Sequence, residues 1–289
     1  MTPPNASLHT SSARFSGAHA CALGAIALWA SLATLGVALS KLPPFLLTGL
    51  ALLIGSVPAW PRWREWRVPA STLALGLWGL FGYHFLLFVA LRDAPPVEAN
   101  LVNYLWPLLI VLLSPLLLPG TRLRPLHLVA ALAGFAGAAI AIVGGRSLSG
   151  TWSWGYLAAL GAAFMWSSYS LMTKRVAAFP TSVIGLFGLV SGLLSLACHV
   201  LLEPSVELSL RDWGLVTVMG LGPLGAAFFL WDKAMKTGDP RSIGILSYLT
   251  PLASTTLLLL VTGRSLTTWT ALAATLIIGA AVVGLRARG

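Results

Sequence analysis

Charged side chains are scarce in this sequence. Asp, Glu, Lys and Arg make up only 9% of its 289 residues, and only 8 of them are acidic. That excludes an ordinary soluble domain, in which about a quarter of residues are charged. Cysteine is nearly absent: Cys21 and Cys198 sit in apolar runs and read as buried, unpaired thiols, which excludes a disulfide scaffold. Metal-ligand and thiol-redox spacings are missing, so no metal and no cofactor are expected. Neither Gly-x-Ser-x-Gly nor His-Glu-x-x-His occurs, which argues against an intramembrane enzyme. No Lys or Arg falls in the middle of a long apolar run, so a phosphorylated or strongly anionic ligand would lack a counter-charge there.

What the sequence has in quantity is hydrophobic residues, 57% of the chain, with a mean hydropathy of +0.86. These values point to a polytopic, all-α membrane protein. Apolar runs of spanning length, about 20 residues, fall at 19–39, 42–60, 70–91, 96–118 and 125–144, and again at 152–173, 180–202, 211–235, 240–262 and 267–285. Ten transmembrane helices are expected, after a disordered cytoplasmic tail over 1–18. The first run is too long for the core of a cleaved signal peptide.

The net charge of +10 is read as basic cytoplasmic loops rather than as a nucleic-acid surface. One side would hold 13 of the 18 Lys and Arg residues: Arg14, Arg62, Arg64, Arg67, Arg122, Arg124, Lys174, Arg175, Lys233, Lys236, Arg241, Arg286 and Arg288. The other would hold Lys41, Arg92, Arg146, Arg211 and Arg264. Both termini are therefore expected in the cytoplasm. Trp60, Trp63, Trp66, Trp152, Trp154, Trp213 and Trp269 lie at segment ends, as an interfacial belt does.

The chain repeats itself. Leu23-Gly-Ala-Ile-Ala-Leu-Trp29-Ala-Ser31 aligns with Leu160-Gly-Ala-Ala-Phe-Met-Trp166-Ser-Ser168, and Asn103-Tyr-Leu-Trp-Pro-Leu108 with Ser247-Tyr-Leu-Thr-Pro-Leu252. Pro96 and Pro240 fall at the same offset as the second pair. Two five-helix repeats follow, over 19–145 and 151–286. An odd number of helices in each makes the second enter the membrane upside down. Inverted repeats of this kind accompany alternating access, with a substrate site at the repeat interface near the midplane.

The densest polar stretch lies in residues 98–108. Asn100, Asn103, Tyr104 and Pro107 share one helix face, and Pro107 cannot donate to the Asn103 carbonyl. Pro251 would free the Ser247 carbonyl in the same way, with Gly244, Ser247, Tyr248 and Pro251 on one face. Unpaired carbonyls in hydrocarbon need a partner. Trp29, Trp106 and Trp166 are mid-helix, and each buried indole N–H needs an acceptor. Tyr83 and His84 add further polar groups at that depth. Ser170, Ser254 and Thr255 are assigned to helix packing. Asn100, Asn103, Tyr104, Trp106, Ser247 and Tyr248 are assigned to a cavity, while Trp29 and Trp166 suit either role. His84 is read as an interhelical hydrogen-bonder rather than a proton carrier. Indoles, phenols and amides suit a neutral or zwitterionic amphiphile with an aromatic body. Asp239 before Pro240 reads as an N-cap, and Asp232 and Lys233, close to the cytoplasmic helix end, as side chains that pair or snorkel.

On these motifs the sequence resembles the drug/metabolite transporter superfamily of the EamA type, and within it the aromatic amino acid exporters. The resemblance covers nearly the whole chain beyond the N-terminal tail. It implies a multi-pass protein of the bacterial inner membrane that exports amino acids and related small metabolites through a central cavity opened alternately to each side. It also implies that Tyr83, Tyr104, Trp106 and Trp166 line that cavity. His84 departs from the acidic residue of that pattern. The rival readings are an exporter of cationic aromatic drugs and, in another class, a channel. Oligomeric state is left open.

Overall fold

The computed structural model describes residues 16–145, 147–262 and 267–287. Arg14, Arg146, Arg264 and Arg288 of the topology argument, and residues 1–15 of the expected tail, lie outside the described residues. Among the described residues the regular structure is helical, with no strand. In chain order the segments are α1 (Gly17–Ala38), α2 (Pro44–Trp66), α3 (Ala70–Asp93), α4 (Pro96–Leu117), α5 (Pro125–Val143), α6 (Gly155–Met172), α7 (Val183–Leu202), α8 (Leu210–Thr237), α9 (Pro240–Val261) and α10 (Thr268–Arg286). Among the described residues, nine of these are long and apolar enough to cross a membrane. The remaining one, α6, is lowered in hydropathy by the run Trp166-Ser-Ser-Tyr-Ser170. The first helix starts at Gly17, inside the tail expected over 1–18, because Ser16 caps it through His19 Nδ1 at 2.7 Å.

The two proline sites break their helices. In α4 the helix Pro96–Asn103 ends in a turn at Tyr104 and Leu105 before Trp106–Leu117 resumes. In α9, Pro240–Leu246 is followed by a turn at Ser247 and Tyr248, with helix again from Leu249. The backbone closes each gap by tightening. The Leu105 N–H falls back to the Val102 carbonyl at 3.1 Å, and the Thr250 N–H takes the Ser247 carbonyl at 3.0 Å. The Ser247 carbonyl, expected to be free, is thus occupied by a three-residue turn.

A second matched irregularity had no sequence signal. α3 contains a π turn at Trp78–Gly82 and α8 another at Gly222–Ala226, each followed by an 11-residue α-helix. The π turns, the helix starts at Pro96 and Pro240, and the prolines 107 and 251 all share one offset of 144 residues.

Packing carries the same regularity. α5 lies along α10 and α2 along α7; α3 and α4 pack on α6, while α8 and α9 pack on α1. Exchanging each helix for the one five along leaves this set unchanged. Two close approaches depend on glycine. A Cβ at Gly79 in the α3 π turn would fall into the Tyr169 ring of α6, and one at Gly134 of α5 into the Tyr248 ring.

Contacts at the helix termini fall into two groups. At one end Lys41 pairs with Asp212 at 2.8 Å, and the Glu203 carboxylate accepts from the N–H groups of Phe45 and Leu46. Glu98 there accepts from Tyr156 and Ser149, tying α4 to the start of α6 rather than serving its own helix alone. At the other end Lys174 Nζ donates to the Gly238 carbonyl at 2.7 Å, Ser182 donates to Glu65, and Arg241 joins Asp239 to the Arg122 carbonyl. Asp239 caps α9 through the Arg241 N–H, and although burial opposes it, the Arg241 guanidinium holds its carboxyl below the ordinary range. Asp232 pairs with Lys236 one turn along rather than with its neighbour Lys233. Of the seven belt tryptophans six are exposed or at the rim, whereas Trp66 turns inward and donates to the Ser182 carbonyl at 3.0 Å.

Candidate functional site

Where the two halves meet, their irregular helices deliver a cluster of aromatic rings. Trp29 comes from α1, Tyr83 and His84 from α3 just past its π turn, Trp106 from α4 just past its break, and Trp166 from α6. All but the half-buried Tyr83 are buried. Phe228 and Trp231 follow the π turn of α8 and complete the cluster. Trp29 lies 5.8 Å from Trp166, 6.3 Å from Trp106 and 5.2 Å from Trp231 between ring centroids. Tyr83 is 5.5 Å from Trp166, and His84 is 6.3 Å from Phe228. Trp29 and Trp166 are repeat partners by sequence, and His84 and Phe228 are partners by the common offset. Each pair is in contact.

Two indoles of the cluster, Trp29 and Trp231, find acceptors that the sequence did not indicate. Trp29 Nε1 donates to the Pro223 carbonyl at 3.1 Å, a group presented by the α8 π turn, whose widened turn frees backbone carbonyls. Trp231 Nε1 donates to Ser170 Oγ at 3.0 Å, and Trp78 Nε1 to Ser168 Oγ at 3.0 Å on the outer side of α6. Ser170, assigned to packing, therefore positions a ring of the centre. His84 Nδ1 donates to the Leu80 carbonyl at 2.6 Å, again in a π turn, which fixes its ring within its own helix.

Asn103 is the polar member of the cluster. Its Nδ2 donates to Tyr83 Oη at 3.3 Å, and its Oδ1 is buried without a protein partner. A buried amide oxygen left unpaired costs about 1–3 kcal/mol, so this acceptor is available to a donor-bearing ligand. Tyr104, in the break, and Asn100, one turn earlier, are half-buried beside it.

The counterparts in the second half do not join the cluster. Ser247 Oγ donates to the Gly244 carbonyl of its own turn at 2.6 Å. Tyr248 is fully buried in a separate apolar group with Leu108, Val111 and Ile245, its ring 6.5 Å from Phe135. Phe228 and Trp231 went unrecognised in the sequence. Trp231 was one of two tryptophans belonging neither to the belt nor to a repeat motif, and that was the available signal.

The aromatic centre is packed shut. A cavity of about 520 Å³ lies to one side, between Pro58, Arg62, Thr181 and Phe229, and another of about 510 Å³ between Leu75, Trp78, Leu113 and Ser168. Neither is lined by Trp29, Trp106 or Trp166.

The model of the EamA-like transporter family matches residues 16–143 and, a second time, residues 153–285. The chain belongs to this family. Among relatives of this EamA-like chain, the aromatic amino acid exporter YddG of Ancylobacter novellus is 42% identical over 279 residues, which is 90% of this chain and 93% of that protein. The aromatic amino acid exporter YddG of Escherichia coli K12 is 28% identical over 224 residues, 73% of this chain and 74% of its own. The uncharacterized inner membrane transporter YhbE of Escherichia coli K12 is 27% identical over 200 residues. A solved crystal structure, 42% identical, superposes with a TM-score of 0.86 over 93% of this chain and 97% of its own.

Proposed function

We propose that this EamA-like transporter exports amino acids, aromatic ones among them, across the bacterial inner membrane by alternating access. The observation that carries this reading is the aromatic centre with the open Asn103 Oδ1 beside it. Ring faces accommodate an aromatic or aliphatic side chain, and the amide oxygen accepts from an α-ammonium. The names of the relatives point the same way.

The protein crosses the membrane ten times, α6 included, as two inverted five-helix repeats with both termini in the cytoplasm. The two groups of terminal contacts, the basic excess at one of them and the exchange symmetry of the packing support that topology. Substrate would bind among Trp29, Tyr83, Asn103, Tyr104, Trp106 and Trp166, with Asn100 and His84 at the margin. The breaks before Pro107 and Pro251 let α4 and α9 bend as the centre opens to one side and then the other. Ser247 and Tyr248 serve the bending of α9 rather than contact with substrate.

Radiolabelled phenylalanine flux into proteoliposomes, with and without a pH gradient, tests this reading. Saturable flux with accelerated counterflow is expected, lowered at least about tenfold by Trp166→Ala, which removes a wall of the site. Non-saturable flux would favour a channel. Stronger competition by a quaternary-ammonium dye than by tryptophan would favour drug export.

A further inference from the structure

The face of α8 that brings Phe228 and Trp231 into the aromatic centre also buries Asp232, toward the end of the bundle that holds most of the basic residues. Asp232 is 3% exposed. Its Oδ2 accepts from Lys236 Nζ at 2.8 Å and from Thr181 Oγ1 at 2.7 Å, while its Oδ1 is buried with no partner among protein atoms. Lys236 Nζ also donates to the Phe179 carbonyl at 2.9 Å and lies 3.4 Å from the centroid of the Phe179 ring.

A carboxylate, a carbonyl and a ring face around one nitrogen are the groups that recognise a primary ammonium. A purely structural ion pair would satisfy both carboxylate oxygens, because a buried charge with a spare acceptor is costly. The site also adjoins the centre. Trp231, next in sequence, is 5.2 Å from Trp29 and donates to Ser170 Oγ.

We propose that Asp232, with the carbonyl and ring of Phe179, forms an ammonium-binding site at the cytoplasmic approach to the aromatic centre. Lys236 fills it while the centre is closed, and the α-ammonium of an amino-acid substrate takes its place as Lys236 withdraws. This inference rests on the amino-acid reading above. It makes Lys236 a built-in competitor of the substrate and Asp232 the group that selects amino acids over the corresponding carboxylic acids on entry.

The test compares L-phenylalanine with 3-phenylpropionate, which keeps the ring and carboxylate but lacks the ammonium. In the uncharged, nearly isosteric variant Asp232→Asn/Lys236→Met, the KM for phenylalanine from the cytoplasmic face is expected to rise about tenfold, the loss of one charge-assisted contact. Inhibition by 3-phenylpropionate should keep its wild-type constant. An unchanged KM overturns the proposal, and so does an equal loss for both ligands, which marks a structural pair. Should that variant not be recovered folded, Lys236→Met alone decides. Its KM should fall about threefold as the competitor is removed, and an unchanged or raised KM overturns the proposal. Failure of the wild-type chain to carry phenylalanine at all would overturn the amino-acid reading itself, and this site with it.

Discussion

The two helix breaks, at Tyr104 in α4 and Tyr248 in α9, have the same cause and different uses. Each precedes a proline that cannot complete the helical bond, and each closes through a tighter turn. Around the first, Asn103 reaches Tyr83 and keeps a free acceptor at the edge of the aromatic centre. Around the second, Ser247 satisfies its own turn and Tyr248 is clamped over Gly134. Backbone symmetry has been kept while side-chain symmetry has been lost. The unpaired acceptor of the first break faces the aromatic centre, whereas the unpaired Tyr248 hydroxyl of the second lies in the separate apolar group.

The largest expected contrast is in stability. Tyr248→Ala should lower the unfolding free energy by about 3–5 kcal/mol, as expected for a fully buried aromatic ring, whereas Tyr104→Ala, half-buried, should cost about 1 kcal/mol or less. Chemical unfolding in detergent measures both, and equal losses would break the comparison. Transport gives the next contrast. Asn103→Leu should raise the phenylalanine KM about tenfold by removing the amide, while Ser247→Ala, losing only a local hydroxyl bond, should change it less than about twofold. The smallest effect is in accessibility. A cysteine at Asn100 or Tyr104 should react with a water-soluble thiol reagent faster than one at Leu109, and addition of substrate should slow it. Indistinguishable rates would place the α4 break among packing contacts.

The features legible in the sequence were those governed by local covalent chemistry or by repetition. Proline at 107 and 251 dictates a lost hydrogen bond wherever the helix lies, and the aligned Trp29 and Trp166 announced a matched pair. The Asp239 cap was equally local. What stayed hidden depended on rotation about helix axes. A π turn inserts one residue and swings everything after it by about 100°. Counting helical faces from the start of α8 therefore misplaces Phe228 and Trp231. The acceptors of the indoles, Pro223 and Ser170, and the choice of Lys236 over Lys233 by Asp232 are set by the same rotation. The equivalence drawn between Ser247 and Asn103 failed for a simpler reason: the serine hydroxyl, one bond shorter than the asparagine amide, reaches only the Gly244 carbonyl of its own turn.

The contact pattern that survives exchange of the two halves has an energetic corollary. If α1 against α8 and α9 is interchangeable with α6 against α3 and α4, then tightening one set while loosening the other yields two conformers built from nearly the same interfaces. Under the alternating access proposed above, such exchange symmetry would bring the free energies of the two conformers close together. Residues that break the exchange, such as Asn103 against Ser247 or Asp232 against its counterpart Phe88, then act as small weights on an almost level balance. A single charge or amide can decide which face of the membrane the empty carrier prefers.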